Sequence, residues 1–84
     1  MNTEKLTTMQ EKPDINRLKV VLVERKRTNR WLAEQLGKDQ ATVSKWCTNT
    51  IQPTLETLWR IADILEVDVR ELLVSRNKNH KNDN

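Results

Sequence analysis

The most informative segment of the chain is residues 29–48, NRWLAEQLGKDQATVSKWCT. Ala33 places a small side chain where two helices must approach each other, and Gly37 follows four residues later. Glycine adopts a positive φ without steric cost, so Gly37 permits a sharp turn. Val43, six residues after Gly37, supplies an apolar side chain to the core from the second helix. The segment therefore predicts two helices that are joined by a very short turn.

The shortness of this turn restricts how the two predicted helices cross. Helices with such a connection cannot lie antiparallel, and they cross steeply, at roughly 90–120°. The first turns of the second helix then protrude from the body of the protein. A protruding helix of this kind can enter the major groove of a DNA duplex.

Apolar residues recur at helical spacing on both sides of this segment, and together they predict an all-α fold, a compact five-helix bundle that contains a helix-turn-helix. The first predicted helix runs to about Arg27, the third to about Cys47, and the short fifth through Leu72 and Leu73. The predicted helix signals are the N-caps Asp14, Thr28, Asp39 and Thr54, the stop at Gly37, and a capping box of Asp68 and Glu71. The predicted inward-facing residues of the first four helices are Ile15, Leu18, Val21, Leu22; Leu32, Ala33, Leu36; Val43, Trp46; and Leu55, Leu58, Ile61, Ala62, Leu65.

Composition divides the chain into three parts. Residues 1–13 are polar, lack periodicity and end at a proline, so we expect a flexible N-terminal arm. Residues 14–74 are the predicted helix-turn-helix domain, whose length suits one compact unit. Residues 75–84 are rich in Asn and Lys with nothing to bury, which predicts a disordered polar tail.

Residues that could carry catalytic or metal chemistry are few. The chain has one cysteine, Cys47, and one histidine, His80, so no intramolecular disulfide and no metal-ligand spacing is present. The sequence shows no nucleophile with a base and no Gly-rich phosphate loop, so we expect no enzyme activity, no catalytic residue, no cofactor and no metal. No apolar run approaches the roughly 20 residues of a membrane span, and no signal peptide is recognisable. We therefore expect a cytoplasmic protein without a membrane partner or a small-molecule ligand.

Charge is unevenly distributed along the chain. Residues 17–46 carry eight basic and three acidic side chains, a local net charge of +5. Residues 54–71 carry two basic and five acidic side chains, a local net charge of −3. Such asymmetry is expected when one surface meets a polyanion, although ordinary solvated helices also carry charges of this kind.

The segment at 29–46, together with PTLETL at 53–58 and the pair Ile61 and Ala62, resembles the lambdoid phage repressor and Cro type of helix-turn-helix, the XRE family. The resemblance covers about residues 15–73, nearly all of the predicted domain. It implies a five-helix fold whose third helix reads bases, and hence a transcriptional regulator, which we expect to be a repressor that binds specific double-stranded DNA. Antitoxins that act on their own operon and controllers of neighbouring genes share this domain, so the biological role stays open.

The resemblance also implies which residues read the bases. Gln40, Ala41 and Lys45 stand at the base-reading positions of the family, with Thr42 and Ser44 alongside. The chemistry of these side chains agrees, since glutamine can bond bidentately to adenine, lysine can donate to guanine O6 and N7, and the alanine methyl can contact a thymine methyl. The alternative is that they form the generic polar surface of a solvated helix.

Other residues match positions that hold the DNA backbone. Asn29 begins the second predicted helix where the family contacts a phosphate, and Arg30 could add a second contact; helix N-termini favour anions. Asn49 and Thr50, in the loop after the third helix, are weaker phosphate candidates. Asp39 is expected first to cap the third helix, and its carboxylate would either repel phosphates or accept a hydrogen bond from cytosine N4.

The three tryptophans and the cysteine are expected to be mainly structural. Trp46 is predicted to lie in the core, Trp59 at the edge of the core, and Trp31 to be partly exposed. Cys47 is expected to be an inert small residue, because only its near neighbour Lys45 could lower its pKa.

One reading helix contacts too few base pairs to find an operator, so we expect a homodimer on a palindromic site. The predicted interface runs from Trp59 to Val74 and includes Val67, Val69, Leu72, Leu73 and Val74. These apolar residues could instead close the core beneath the first helix. A helical protein-interaction module that keeps this fold without binding DNA is the competing function.

Overall fold

Four α-helices and one short 3-10 helix follow one another in residues 13–76, the part of the chain that the computed structural model describes. The α-helices are α1 (Leu18–Glu24), α2 (Asn29–Leu36), α3 (Gln40–Cys47) and α4 (Leu55–Leu65), and the 3-10 helix is Val69–Leu72. The all-helical prediction is confirmed for these residues. The predicted arm and tail lie outside them, apart from Pro13, Ser75 and Arg76.

The prediction of five α-helices is wrong, because the last segment forms only a single 3-10 turn. The predicted capping box of Asp68 and Glu71 is present at its start. Leu73 then adopts an extended conformation and pairs with Asn16 in an antiparallel bridge. This pairing takes the chain out of the helix before a second turn can form.

The first helix begins later than its sequence pattern predicts, and Asp14 is not its N-cap. Residues 15–17 are held by the last described segment, since the Arg17 N–H donates to the Leu72 carbonyl at 2.8 Å and the Val74 N–H donates to the Ile15 carbonyl at 2.8 Å. α1 starts only after this pairing, with Arg17 at its N-cap position. Ile15 is therefore exposed instead of belonging to the helical core.

The turn between α2 and α3 agrees with the Thr28 and Gly37 signals, whereas Asp39 occupies the predicted N-cap position of α3 without making a side-chain cap bond. The Thr28 hydroxyl accepts a hydrogen bond from the Trp31 N–H, which caps α2 at its start. Gly37 ends the helix in the left-handed conformation, with φ 67°. A Cβ at Gly37 would meet no atom within 4 Å, so its positive φ, not lack of space, is the reason for glycine here.

The core is formed by the inner faces of the four α-helices together with Leu72, which is 0% exposed. Trp46 is buried as predicted, and Trp31 is partly buried against the core. Two predictions are wrong: Leu55 is 76% exposed, not inward-facing, and Trp59 is 66% exposed, outside the core edge. α4 packs against α2 and the 3-10 helix. The spacing of apolar residues in the sequence does not indicate how much of α4 these two elements cover.

A cluster of polar side chains joins the loop after α3 to the residues before α1. The Asn49 Oδ1 accepts from the Ile15 N–H at 2.8 Å and from the Asn16 N–H at 2.9 Å, and the Asn49 Nδ2 donates to the Asn16 carbonyl at 3.1 Å. The Asn16 Nδ2 in turn donates to the Trp46 carbonyl and to the Gln52 side chain. Both asparagines are buried. Their bonds pair backbone groups that would otherwise be buried without partners.

Within residues 13–76, no helix has the length and apolar character needed to cross a bilayer. The same residues contain no group of three or more His, Cys, Asp or Glu side chains placed to hold a metal ion.

Candidate nucleic-acid interface

The two faces of α3 differ sharply in burial. Val43, Trp46 and Cys47 are buried and fix the helix to the core. Gln40, Ala41 and Lys45 are exposed, and Thr42 and Ser44 are half-buried beside them. The structure therefore brings the five predicted base-reading residues onto one helix, with three of them fully on its solvent side.

The side chains of Gln40 and Lys45 are available for a ligand. Neither makes a hydrogen bond or an ion pair with any other residue in the described range, 13–76. Glutamine offers both a donor and an acceptor, and lysine offers three donors. A base edge in a major groove presents the complementary groups.

Asn29 links the start of α2 to α3, which the sequence did not reveal. Its Nδ2 donates to the Ser44 Oγ at 3.2 Å, and its Oδ1 accepts from the Cys47 thiol at 3.3 Å. These bonds occupy part of the hydrogen-bonding capacity of Asn29 and Ser44. They also fix the N-terminus of α2, where backbone N–H groups point outward, at a set distance from the exposed face of α3.

Arg30 lies one residue further along α2 and is exposed. Its Nε is 3.5 Å from a carboxylate oxygen of Glu34, one turn later on the same helix. Ion pairs on a helix surface contribute only a few tenths of a kcal/mol. Arg30 can therefore leave Glu34 for a phosphate at little cost.

A cleft of about 280 Å³ opens between α1 and α3 beside the start of α2. Lys19 and Arg27 line it together with Asn29, and the Arg27 guanidinium lies 4.3 Å above the Trp31 ring. Lys19 was not singled out from the sequence, although its charge was counted. Its place at this cleft depends on how α1 packs against α3, for which the sequence carries no local signal.

The loop after α3 holds the two weaker phosphate candidates in different surroundings. The buried amide of Asn49 is engaged with Ile15 and Asn16, so the geometry does not favour a phosphate contact by this side chain. Thr50 is exposed, and its hydroxyl is 2.8 Å from the Thr48 hydroxyl. The phosphate roles of both residues stay predictions.

Cys47 lies against the core beneath this surface. Burial raises the pKa of its thiol, and the charge of Lys19, not that of Lys45 as predicted, opposes this shift only in part. A thiol with a raised pKa is a poor nucleophile at neutral pH, since the thiolate is the reactive form. This placement agrees with the expectation of an inert small residue.

A second exposed feature lies on α4, where Trp59 borders a groove of about 280 Å³. Ala62 and Asp63 form the groove on the side of α4, and Val67, Asp68 and Val69 form it on the side of the 3-10 helix. Leu72, which was predicted to lie in an interface, is instead fully buried in the core.

Comparisons with known proteins identify relatives of this arrangement. A family model described as helix-turn-helix matches residues 18–72, from the start of α1 to the end of the 3-10 helix. The chain is also similar to a solved crystal structure described as a "putative DNA-binding protein from Bacteroides fragilis", with 55% sequence identity and a TM-score of 0.71. The alignment covers 71% of this chain and 97% of that chain. No curated protein matches the chain significantly.

Proposed function

Because the chain belongs to the helix-turn-helix family of the XRE type, we propose that it is a transcriptional repressor that binds a specific DNA duplex by placing α3 in the major groove. The observation that carries this proposal is the outer face of α3. There Gln40, Ala41 and Lys45 are exposed. Within residues 13–76, the side chains of Gln40 and Lys45 form no hydrogen bond or ion pair. The local charge of +5 over residues 17–46 supports a polyanionic partner.

The proposed contacts divide into two kinds. Gln40 reads adenine, Lys45 reads guanine and the Ala41 methyl contacts a thymine methyl, with Thr42 and Ser44 at the margin of the same face. Asn29, Arg30 and the N-terminus of α2 hold phosphates and set the position of α3 in the groove. Selecting bound duplexes from a pool of random sequences tests the proposal, and recovery of no consensus would contradict it.

Two single substitutions separate base reading from phosphate contact. Gln40→Ala should relax the preference at one or two base pairs and weaken binding to the selected site by about 1–3 kcal/mol. Arg30→Ala should weaken the selected site and a scrambled duplex about equally, and should reduce the slope of log affinity against log salt by about 1. Fluorescence anisotropy titrations at several salt concentrations measure both effects. A Gln40→Ala protein that selects the wild-type consensus would refute the base-reading assignment.

We further propose that the protein binds a palindromic operator as a homodimer. The reading helices of such a dimer lie one helical turn of DNA apart, roughly 34 Å. Trp59 and the groove beside it form the proposed centre of the interface, with Leu73 and Val74 as further exposed apolar residues. An exposed tryptophan next to a groove is typical of residues that dominate the binding energy of an interface.

Replacing Trp59 tests this interface. Trp59→Ala should weaken binding to a palindromic duplex by about 2 kcal/mol or more, because each complex loses a buried tryptophan on both subunits. Val20→Ala is the matched control, since Val20 on α1 is 45% exposed and lines neither the groove beside Trp59 nor the cleft beside Asn29. Sedimentation with and without the selected duplex gives the stoichiometry. One chain per duplex, on a non-palindromic consensus, would rule out the dimer.

A further inference from the structure

The carboxylate of Asp39 makes no hydrogen bond to α3, the helix that it precedes. At the starts of α2, α4 and the 3-10 helix, the N-cap side chain accepts a hydrogen bond from a backbone N–H two or three residues ahead, at 2.8–3.1 Å. Asp39 occupies the same position before α3, with an extended backbone of φ −76° and ψ 141°. Its side chain nevertheless accepts no such bond.

The surroundings of Asp39 give its carboxylate no other partner. The residue is exposed, and its side chain takes part in no hydrogen bond or ion pair with residues 13–76. Its backbone carbonyl does start α3, accepting from the Thr42 N–H at 3.1 Å and the Val43 N–H at 3.3 Å. The first turn of α3 thus forms without the side chain, which stands free directly before Gln40 and Ala41.

A free carboxylate on this face is unfavourable unless the DNA supplies a donor. Phosphates repel it, as do the acceptor groups of guanine and thymine in the major groove. Only cytosine N4 and adenine N6 donate hydrogen bonds there. Adenine N6 lies beside its own acceptor N7 and across from thymine O4, whereas cytosine N4 has an acceptor on one side only, so a carboxylate accepts best from cytosine.

Building on the DNA-binding function proposed above, we infer that Asp39 determines specificity by accepting a hydrogen bond from N4 of an operator cytosine. At guanine and thymine the unpaired charge meets an acceptor, and at adenine the N6 donor lies between two acceptors. Asp39 therefore lowers the affinity for all DNA and lowers it least where a cytosine is present. This inference goes beyond the expected capping role, because the cap bond that would explain the carboxylate is absent.

Selection from a random duplex pool by the full chain and two variants tests the inference. The wild type should select cytosine at one position of each half-site, preferred about tenfold over other bases. Asp39→Ser should lose this preference, keep the rest of the consensus and bind a scrambled duplex more tightly. Asp39→Asn should change the preference to adenine, since an amide can bond to adenine N6 and N7 together. Serine and asparagine are both good N-cap residues, so both variants should fold.

Glu24→Gln is the control, because it removes one negative charge from an exposed residue of α1 that has no ion pair or hydrogen-bonded side chain within residues 13–76. It should leave the consensus unchanged. If Asp39→Ser selects the same bases as the wild type, including cytosine, the inference is overturned and the proposed function stands. If the wild type selects no consensus at all, both the inference and the proposed function fail. The experiment therefore distinguishes failure of the inference alone from failure of the proposed function.

Discussion

Leu72→Ala is expected to lower the free energy of unfolding by about 2–5 kcal/mol, because it leaves a cavity in a small core. Leu72 is 0% exposed and brings the 3-10 helix against α1 and α4. Its backbone also holds the residues before α1, through the bond from the Arg17 N–H. Denaturant unfolding followed by far-UV circular dichroism measures the loss. A decrease of this size is a large part of the stability of a small domain.

Leu73→Ala is the matched control for Leu72→Ala. Leu73 is 39% exposed, and the bond that its N–H donates to the Arg70 carbonyl survives the substitution. Its change in unfolding free energy should stay within about 1 kcal/mol. Equal losses for both variants, or a Leu72→Ala loss that varies with protein concentration, would contradict the burial of Leu72 and favour the interface role predicted from the sequence.

Asn49→Ala is expected to destabilise the protein by about 2–4 kcal/mol, for two reasons. The substitution removes the acceptor for the N–H groups of Ile15 and Asn16 and leaves these buried or half-buried donors unpaired. It also places alanine at φ 60°, a conformation that is unfavourable for a residue with a Cβ, without the side-chain hydrogen bonds that hold Asn49 there. Thermal and denaturant unfolding, each compared with the wild type, give the magnitude.

Asn49→Gly separates these two contributions. Glycine adopts the positive φ freely but makes none of the side-chain bonds, so it should recover about 1 kcal/mol of the alanine loss. A loss below about 0.5 kcal/mol for Asn49→Ala would show that the polar cluster does not stabilise the fold. Weaker DNA binding with unchanged stability would instead support the phosphate contact predicted for Asn49.

The parts of the fold that were predictable from the sequence depend on contacts between residues close in the chain. The Thr28 cap bonds to a backbone group three residues ahead, and Gly37 ends α2 because its own φ is positive. The division of α3 into buried and exposed faces follows from helical periodicity around Val43 and Trp46. The residues proposed to read DNA were named from the resemblance to the XRE family, and helical periodicity accounts for the exposure of Gln40, Ala41 and Lys45 on the other face of that helix.

The predictions that failed concern contacts between distant residues. Asp14 has the residue type of an N-cap, yet α1 starts later because residues 15–17 pair with residues 72–74. Leu55 continues the apolar spacing of α4, but no neighbouring element covers it. Asn49 and Asn16 lie 33 residues apart in the chain, and no sequence pattern predicts that they cluster.

The amino-acid sequence alone was sufficient for the helix-turn-helix itself, because caps, turn glycine and apolar spacing act over one or two helical turns. Tertiary packing was needed to show that Leu72, predicted to lie in an interface, is in the core, and that Trp59, predicted to lie at the core edge, is exposed. It was also needed to show that Asp39 makes no cap bond, since residue type and position at a helix start do not reveal where a carboxylate points. The burial and direction of a side chain depend on which helices pack against it, and residues far apart in the sequence determine this packing together.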